Sequence, residues 1–118
     1  MSADEYLDTE SLDMLKEVMA EEFEELLELY IEDASQHLTE LERAIARKDC
    51  VAVTKVSHSL KGASSNIYAR RMAAICLALE ELSRAMADTP DWARLRSQLA
   101  AVKDCYQTTR GLLLALIR

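Results

Sequence analysis

Apolar residues recur at alternating steps of three and four along most of the chain, the period of an amphipathic helix. The longest stripe runs Phe23, Leu27, Tyr30, Ala34, Leu38, Leu41 and Ile45, and predicts one helix from about Ala20 to about Lys48. Before it, Leu12, Leu15 and Met19 mark a short helix that Thr9 or Ser11 could cap. After it, Asp49 reads as the cap of a helix carrying Val53, Val56, Leu60, Ala63 and Ile67. A break at residues 66–69 precedes a further stripe of Met72, Ile75, Leu79, Leu82 and Met86. Thr89 can cap the last helix with Pro90 in its first position, and Trp92, Leu95, Leu99, Val102, Tyr106, Thr109, Leu113 and Leu116 form its stripe.

Short connections make successive helices antiparallel neighbours, so the pattern predicts an all-α, up-down four-helix bundle with a short additional N-terminal helix. Two Gly and one Pro in 118 residues leave little turn chemistry for a many-stranded alternative. One domain over 9–118 accounts for every stripe, with residues 1–8 expected as a flexible N-terminal tail. A net charge of −7 disfavours nucleic acid and anionic membranes as partners. Residues 1–8 lack the apolar core of a secretory signal, and the run Leu112–Ile117 is too short to span a bilayer. Cys50, Cys76 and Cys105 are odd in number and widely spaced, which fits a reducing cytoplasm better than a disulfide framework. They read as buried small hydrophobes, and Phe23 and Trp92 as core. His37 lies beside the second stripe and is expected to pair with Asp33, while the Glu21–Glu28 acids read as a solvated face. Carboxylate-bridged metal bundles need Glu-x-x-His pairs, and the chain has none.

The segment from Ser57 to Ile67 changes the picture. At roughly 100° per residue, His58 falls about 170° from the centre of its helix's apolar stripe. Lys61, Gly62 and Ser65 follow at steps of three, four and seven, and Thr54 and Lys55 precede it by one turn, so all share its outward side. Glycine within a helix costs about 1 kcal/mol relative to alanine, a cost that room for a close partner would offset. No Asp or Glu occurs from Cys50 to Leu79, whereas Lys55, Lys61, Arg70 and Arg71 do. A chain rich in acids thus surrounds one exposed imidazole with a local basic patch. That suits an anionic adduct on His58 or a partner with an acidic pocket.

The run His58-Ser59-Leu60-Lys61-Gly62-Ala63-Ser64 resembles the HxLKGxS signature of histidine phosphotransfer (HPt) domains, and Asn66-Ile67-x-Ala69 fits its usual extension. Cys76, Leu79, Glu80 and Arg84 resemble the C-x-x-L-E-x-x-x-R pattern of the family's next helix. The resemblance implies a phosphorelay intermediate in a two-component system. His58 would accept a phosphoryl group through Nε2 from a receiver-domain aspartate, of a hybrid sensor kinase, and pass it to a response-regulator receiver. Neutral imidazole is a suitable nucleophile near neutral pH. Lys61 and Arg84 would stabilise the phosphoryl group, and Glu80 would orient the imidazole. Gly62, Ser65, Lys55, Tyr68, Arg70 and Arg71 would serve close approach and docking. The resemblance further implies a monomeric carrier without kinase activity of its own, needing no cofactor, with Mg2+ on the receiver.

One residue departs from the family pattern. Tyr68 stands where glycine is usual, and a tyrosine is penalised at positive φ, so the helix is expected to end one residue earlier, with Asn66 in the unusual conformation. Two other readings stay open at this level: a helical adaptor that binds a partner without phosphoryl chemistry, and a detached phosphoacceptor half of a sensor kinase, which would form a homodimer of hairpins. The chain has no Gly-rich nucleotide loop, so an autonomous kinase is excluded.

Overall fold

Three of the helices begin where an aspartate can cap them. Asp8, Asp49 and Asp91 each accept a hydrogen bond from the backbone N–H three residues on, at Ser11, Ala52 and Arg94. A carboxylate at this position satisfies an orphan donor and also opposes the positive helix end, which a hydroxyl cannot do. The caps expected at Thr9 or Ser11 and at Thr89 are therefore Asp8 and Asp91, and Pro90 lies outside the last helix.

A computed structural model describes residues 2–118. It contains α1 (Ala3–Tyr6), α2 (Thr9–Met19), α3 (Glu22–Ala46), α4 (Cys50–Asn66), α5 (Arg70–Ala85) and α6 (Trp92–Ala115), with no strand among the described residues. Helices α3 to α6 close a four-helix bundle in which α4 packs most extensively on α5, and α6 returns to α3. One continuous core runs through it, with Leu27, Leu41, Val53, Leu60, Met72, Leu79, Leu95, Val102 and Leu113 fully buried. All three cysteines and Phe23 are buried, whereas Trp92 is only half-buried at the core's margin.

The buried face of α4 differs from the apolar stripe. It comprises Cys50, Val53, Ser57, Leu60 and Ser64, while Val56 and Ala63 are only half-buried. The buried centre consequently lies about 120° from His58, not about 170°. Serine is small enough to let neighbouring helices approach, provided its hydroxyl is paired. Ser57 donates to the Val53 carbonyl, and Ser64 shares a 2.7 Å hydrogen bond with the Tyr30 hydroxyl.

Residues 1–8, expected as a tail, are docked over their described part; Met1 lies outside the described residues. Tyr6 and Leu7 are buried, the Asp8 N–H donates to the Tyr68 carbonyl, and Arg70 donates to the Leu7 carbonyl. The Arg71 guanidinium lies 4.9 Å from the centre of the Tyr6 ring and 3.6 Å from the Glu5 carboxylate. Two apolar side chains at the end of an acidic stretch, facing a basic helix start, are enough to order the segment.

Three helix ends carry a non-glycine residue at positive φ, Ala20 at 50° after α2, and the like pair Lys48 at 57° and Tyr68 at 61° after α3 and α4. The latter two close with the same pair of bonds. Asp49 N–H reaches the Ala44 carbonyl and Lys48 N–H that of Ile45, while Ala69 N–H reaches Ser64 and Tyr68 N–H reaches Ser65. This double bond fixes the αL residue just beyond the helix. Asn66 stays helical, so the expectation that it would take the unusual conformation is corrected: satisfying two carbonyls outweighs the cost of a tyrosine at positive φ. Lys48 is exposed and makes no ion pair among the described residues, so its strain is open to relief. Lys48→Gly is expected to raise stability by about 1 kcal/mol, read as a shift of the urea midpoint at constant slope.

Candidate functional site

His58 sits midway along α4 with 64% of its side chain exposed. Because the buried face is turned toward the serines, the residues at its edge (Thr54, His58 and Lys61) meet α5 on one side, and His58 keeps its other side in solvent. His58 Nδ1 lies 3.1 Å from Glu80 Oε2. The same oxygen accepts from Arg84 Nη2 at 2.7 Å, and Lys61 Nζ stands 3.4 Å from Oε1. One almost fully buried carboxylate thus gathers an imidazole and two cations.

Burial by itself pushes the Glu80 carboxyl up. Hydrogen bonds from Arg84 and His58 and the charge of Lys61 outweigh it and hold the group below its ordinary value of 4.5. An ionised carboxylate can only accept, so His58 Nδ1 must carry the hydrogen. In the neutral ring the lone pair is then on Nε2, the nitrogen turned away from Glu80. Glu80 Oε1 has no directed hydrogen bond, and at 3.4 Å Lys61 is held to it by charge alone. Lys61 therefore keeps its donors available to a second anion beside the imidazole. A carboxyl held low in the fold stabilises it above the ordinary carboxylate pKa, and that contribution is lost as pH falls through the depressed value. Glu80→Gln is expected to be less stable than the parent at neutral pH, with the gap narrowing well below pH 4.5, as urea melts across pH would read.

Gly62 is half-buried one turn from His58, and a Cβ built there would meet nothing within 4 Å. No intramolecular packing requires the glycine. Lys55 and Ser65 are exposed on the same side, and Lys55 makes no ion pair among the described residues. Tyr68 is 39% exposed at the end of this helix. Arg70 and Arg71, expected to serve docking, are exposed and each makes a contact with the N-terminal segment. His37 Nδ1 pairs with the Asp33 backbone carbonyl at 2.8 Å, not with its carboxylate.

The serine and threonine partners were not singled out by the apolar stripes. Thr54 Oγ1 and Ser83 Oγ lie 2.7 Å apart across α4 and α5, one turn from the His58–Glu80 contact. Among the described residues no group of three His, Cys, Asp or Glu side chains could hold a metal ion, and no helix is long and apolar enough to cross a membrane.

A four-helix bundle that holds one imidazole outward against a buried carboxylate, with a lysine and an arginine beside it, defines a histidine-displaying bundle protein. The sequence model of the Hpt domain matches residues 25–110, and the chain belongs to that family. It is 30% identical to histidine-containing phosphotransfer protein B (HptB) from Pseudomonas aeruginosa PAO1, over 93% of this chain and 92% of that one, with a TM-score of 0.84. The fold is also that of the histidine-containing phosphotransfer protein ZmHP2 from maize, at 21% identity, 92% and 84% coverage and a TM-score of 0.77. No curated protein matches the sequence.

Proposed function

We propose that His58 is the phosphoacceptor of this chain. Family membership makes the protein a histidine phosphotransfer component of a phosphorelay. The observation that carries the assignment to His58 is the Glu80 contact on Nδ1, which leaves an exposed nucleophilic Nε2. In the forward step the Nε2 lone pair attacks the phosphorus of a receiver's aspartyl phosphate. The N–P bond forms, the P–O bond to the aspartate breaks, and the carboxylate leaves with its electron pair. The ring then carries a positive charge, with its hydrogen still on Nδ1, facing ionised Glu80. Return of the phosphoryl group to a second receiver reverses these steps.

Phosphoryl transfer has a loose transition state, so positioning and charge neutralisation dominate. Lys61 is the side chain best placed to supply charge, with Arg84 second. Gly62, Ser65, Lys55 and Tyr68 form the approach surface for the receiver. Mg2+ belongs to the receiver, the partners are receiver domains of a hybrid sensor kinase and a response regulator, and the carrier acts as a cytoplasmic monomer without kinase activity of its own. Incubation with a phosphorylated receiver followed by intact mass and peptide mapping tests this reading. One phosphoryl group on His58 is expected; none would favour a non-phosphorylated adaptor.

A further inference from the structure

We infer that Thr54 and Ser83 are positioning residues that set the register of α4 against α5 for His58; the inference rests on His58 as phosphoacceptor. The two helices run antiparallel, so their facing polar residues form successive rungs. Thr54 meets Ser83 on one rung, and His58 with Lys61 meets Glu80 on the next. Cys50 adds a contact at the outer end, its Sγ donating to the Ser83 carbonyl.

The hydroxyl pair has more contacts than hydrogens. Thr54 Oγ1 also reaches the Cys50 carbonyl at 3.2 Å, and Ser83 Oγ reaches the Glu80 carbonyl at 3.0 Å. Two hydrogens cannot serve three contacts at once. The oxygens lie 2.7 Å apart, a distance that requires a hydrogen between them. The inter-helical bond is therefore made in either proton arrangement, and one of the bonds within a helix yields. Ser83 is fully buried, so its hydroxyl has no water to fall back on.

The neighbouring rung has little slack. His58 Nδ1 to Glu80 Oε2 is already 3.1 Å, near the long end for an N–H···O bond. A slip of about half an ångström between the helices would break it and free the imidazole to place its hydrogen on Nε2, the unreactive tautomer. Ser83 is also tied through its hydroxyl to the carbonyl of Glu80 itself, which couples the two rungs within α5.

The test compares Thr54→Val, which keeps shape and removes the hydroxyl, with Thr54→Ser, which restores it. Phosphoryl transfer from a phosphorylated receiver is measured as a function of receiver concentration, and the His58 ring tautomer is read from its 15N shifts. For Thr54→Val the transfer rate at saturating receiver is expected to fall about tenfold with KM unchanged, and the tautomer balance to move toward Nε2–H. Thr54→Ser is expected to recover both. An unchanged saturating rate and tautomer in Thr54→Val would overturn the proposal. A loss that Thr54→Ser does not restore would overturn it too, since the methyl and not the hydroxyl would then matter. Should the parent protein take no label on His58, the phosphoacceptor reading fails instead, which separates the two.

Discussion

His58→Gln is expected to abolish labelling by a phosphorylated receiver while leaving helicity and melting close to those of the parent. The side chain is mostly exposed, so its replacement opens no cavity, and a glutamine amide can still donate toward Glu80. What disappears is the nitrogen lone pair that His58 offers to solvent near Lys61. The label on the parent should be lost in acid and survive in base, as a phosphoramidate does. An acid-stable label, or one that persists in the variant, would move the phosphoacceptor elsewhere.

The second large effect concerns the charge beside the ring. Lys61→Ala is expected to slow transfer by roughly ten- to a hundredfold, the equivalent of about 1.5–3 kcal/mol for one charge-assisted hydrogen bond. Lys61 faces Glu80 Oε1 at 3.4 Å with no directed bond, whereas Arg84 holds Oε2 at 2.7 Å. The loosely held cation can turn to a phosphoryl oxygen at lower cost than the tightly held one. Arg84→Ala should therefore slow transfer by less. Single-turnover rates at saturating receiver, compared across both variants and Lys48→Gly as a control, would decide this. A Lys61→Ala rate within about twofold of the parent would make Lys61 surface only.

The bundle was legible because each long helix announces itself by one apolar stripe, and the shift from stripe to stripe falls at Asp49 and near Pro90. The limits lie where polar atoms take over. Ser57, Ser64, Ser83 and Glu80 are buried yet carry no hydrophobic signal, so the true inner face of α4 could not be placed from periodicity alone. The pairing of His58 with Glu80 came from the resemblance, since residues on different helices have no fixed spacing. The contacts of Arg70 and Arg71 were out of reach for a related reason: their partners, the Leu7 carbonyl and the Glu5 carboxylate, lie far away in sequence and fold back onto them. The helix end at Tyr68 was misjudged because a single-residue steric cost was weighed without the two hydrogen bonds it permits.

The docked N-terminal segment bears on how the molecule assembles and opens. Contacts among α3, α4, α5 and α6 link helices adjacent in sequence except for the closing α3–α6 seam, whereas the Arg70–Leu7 bond joins residues 63 apart. Closing so long a loop costs chain entropy before many contacts repay it. The segment should join after the His58 hairpin of α4 and α5 has formed, and it should leave first. Native-state hydrogen exchange would then show the amides of α1 and the Asp8 N–H exchanging through a local opening, at lower free energy than those of α4 and α5. Each such opening releases the exposed Arg70 and Arg71 side chains from the Leu7 carbonyl and the Glu5 carboxylate, so the net charge beside the end of the histidine helix fluctuates on the timescale of that opening.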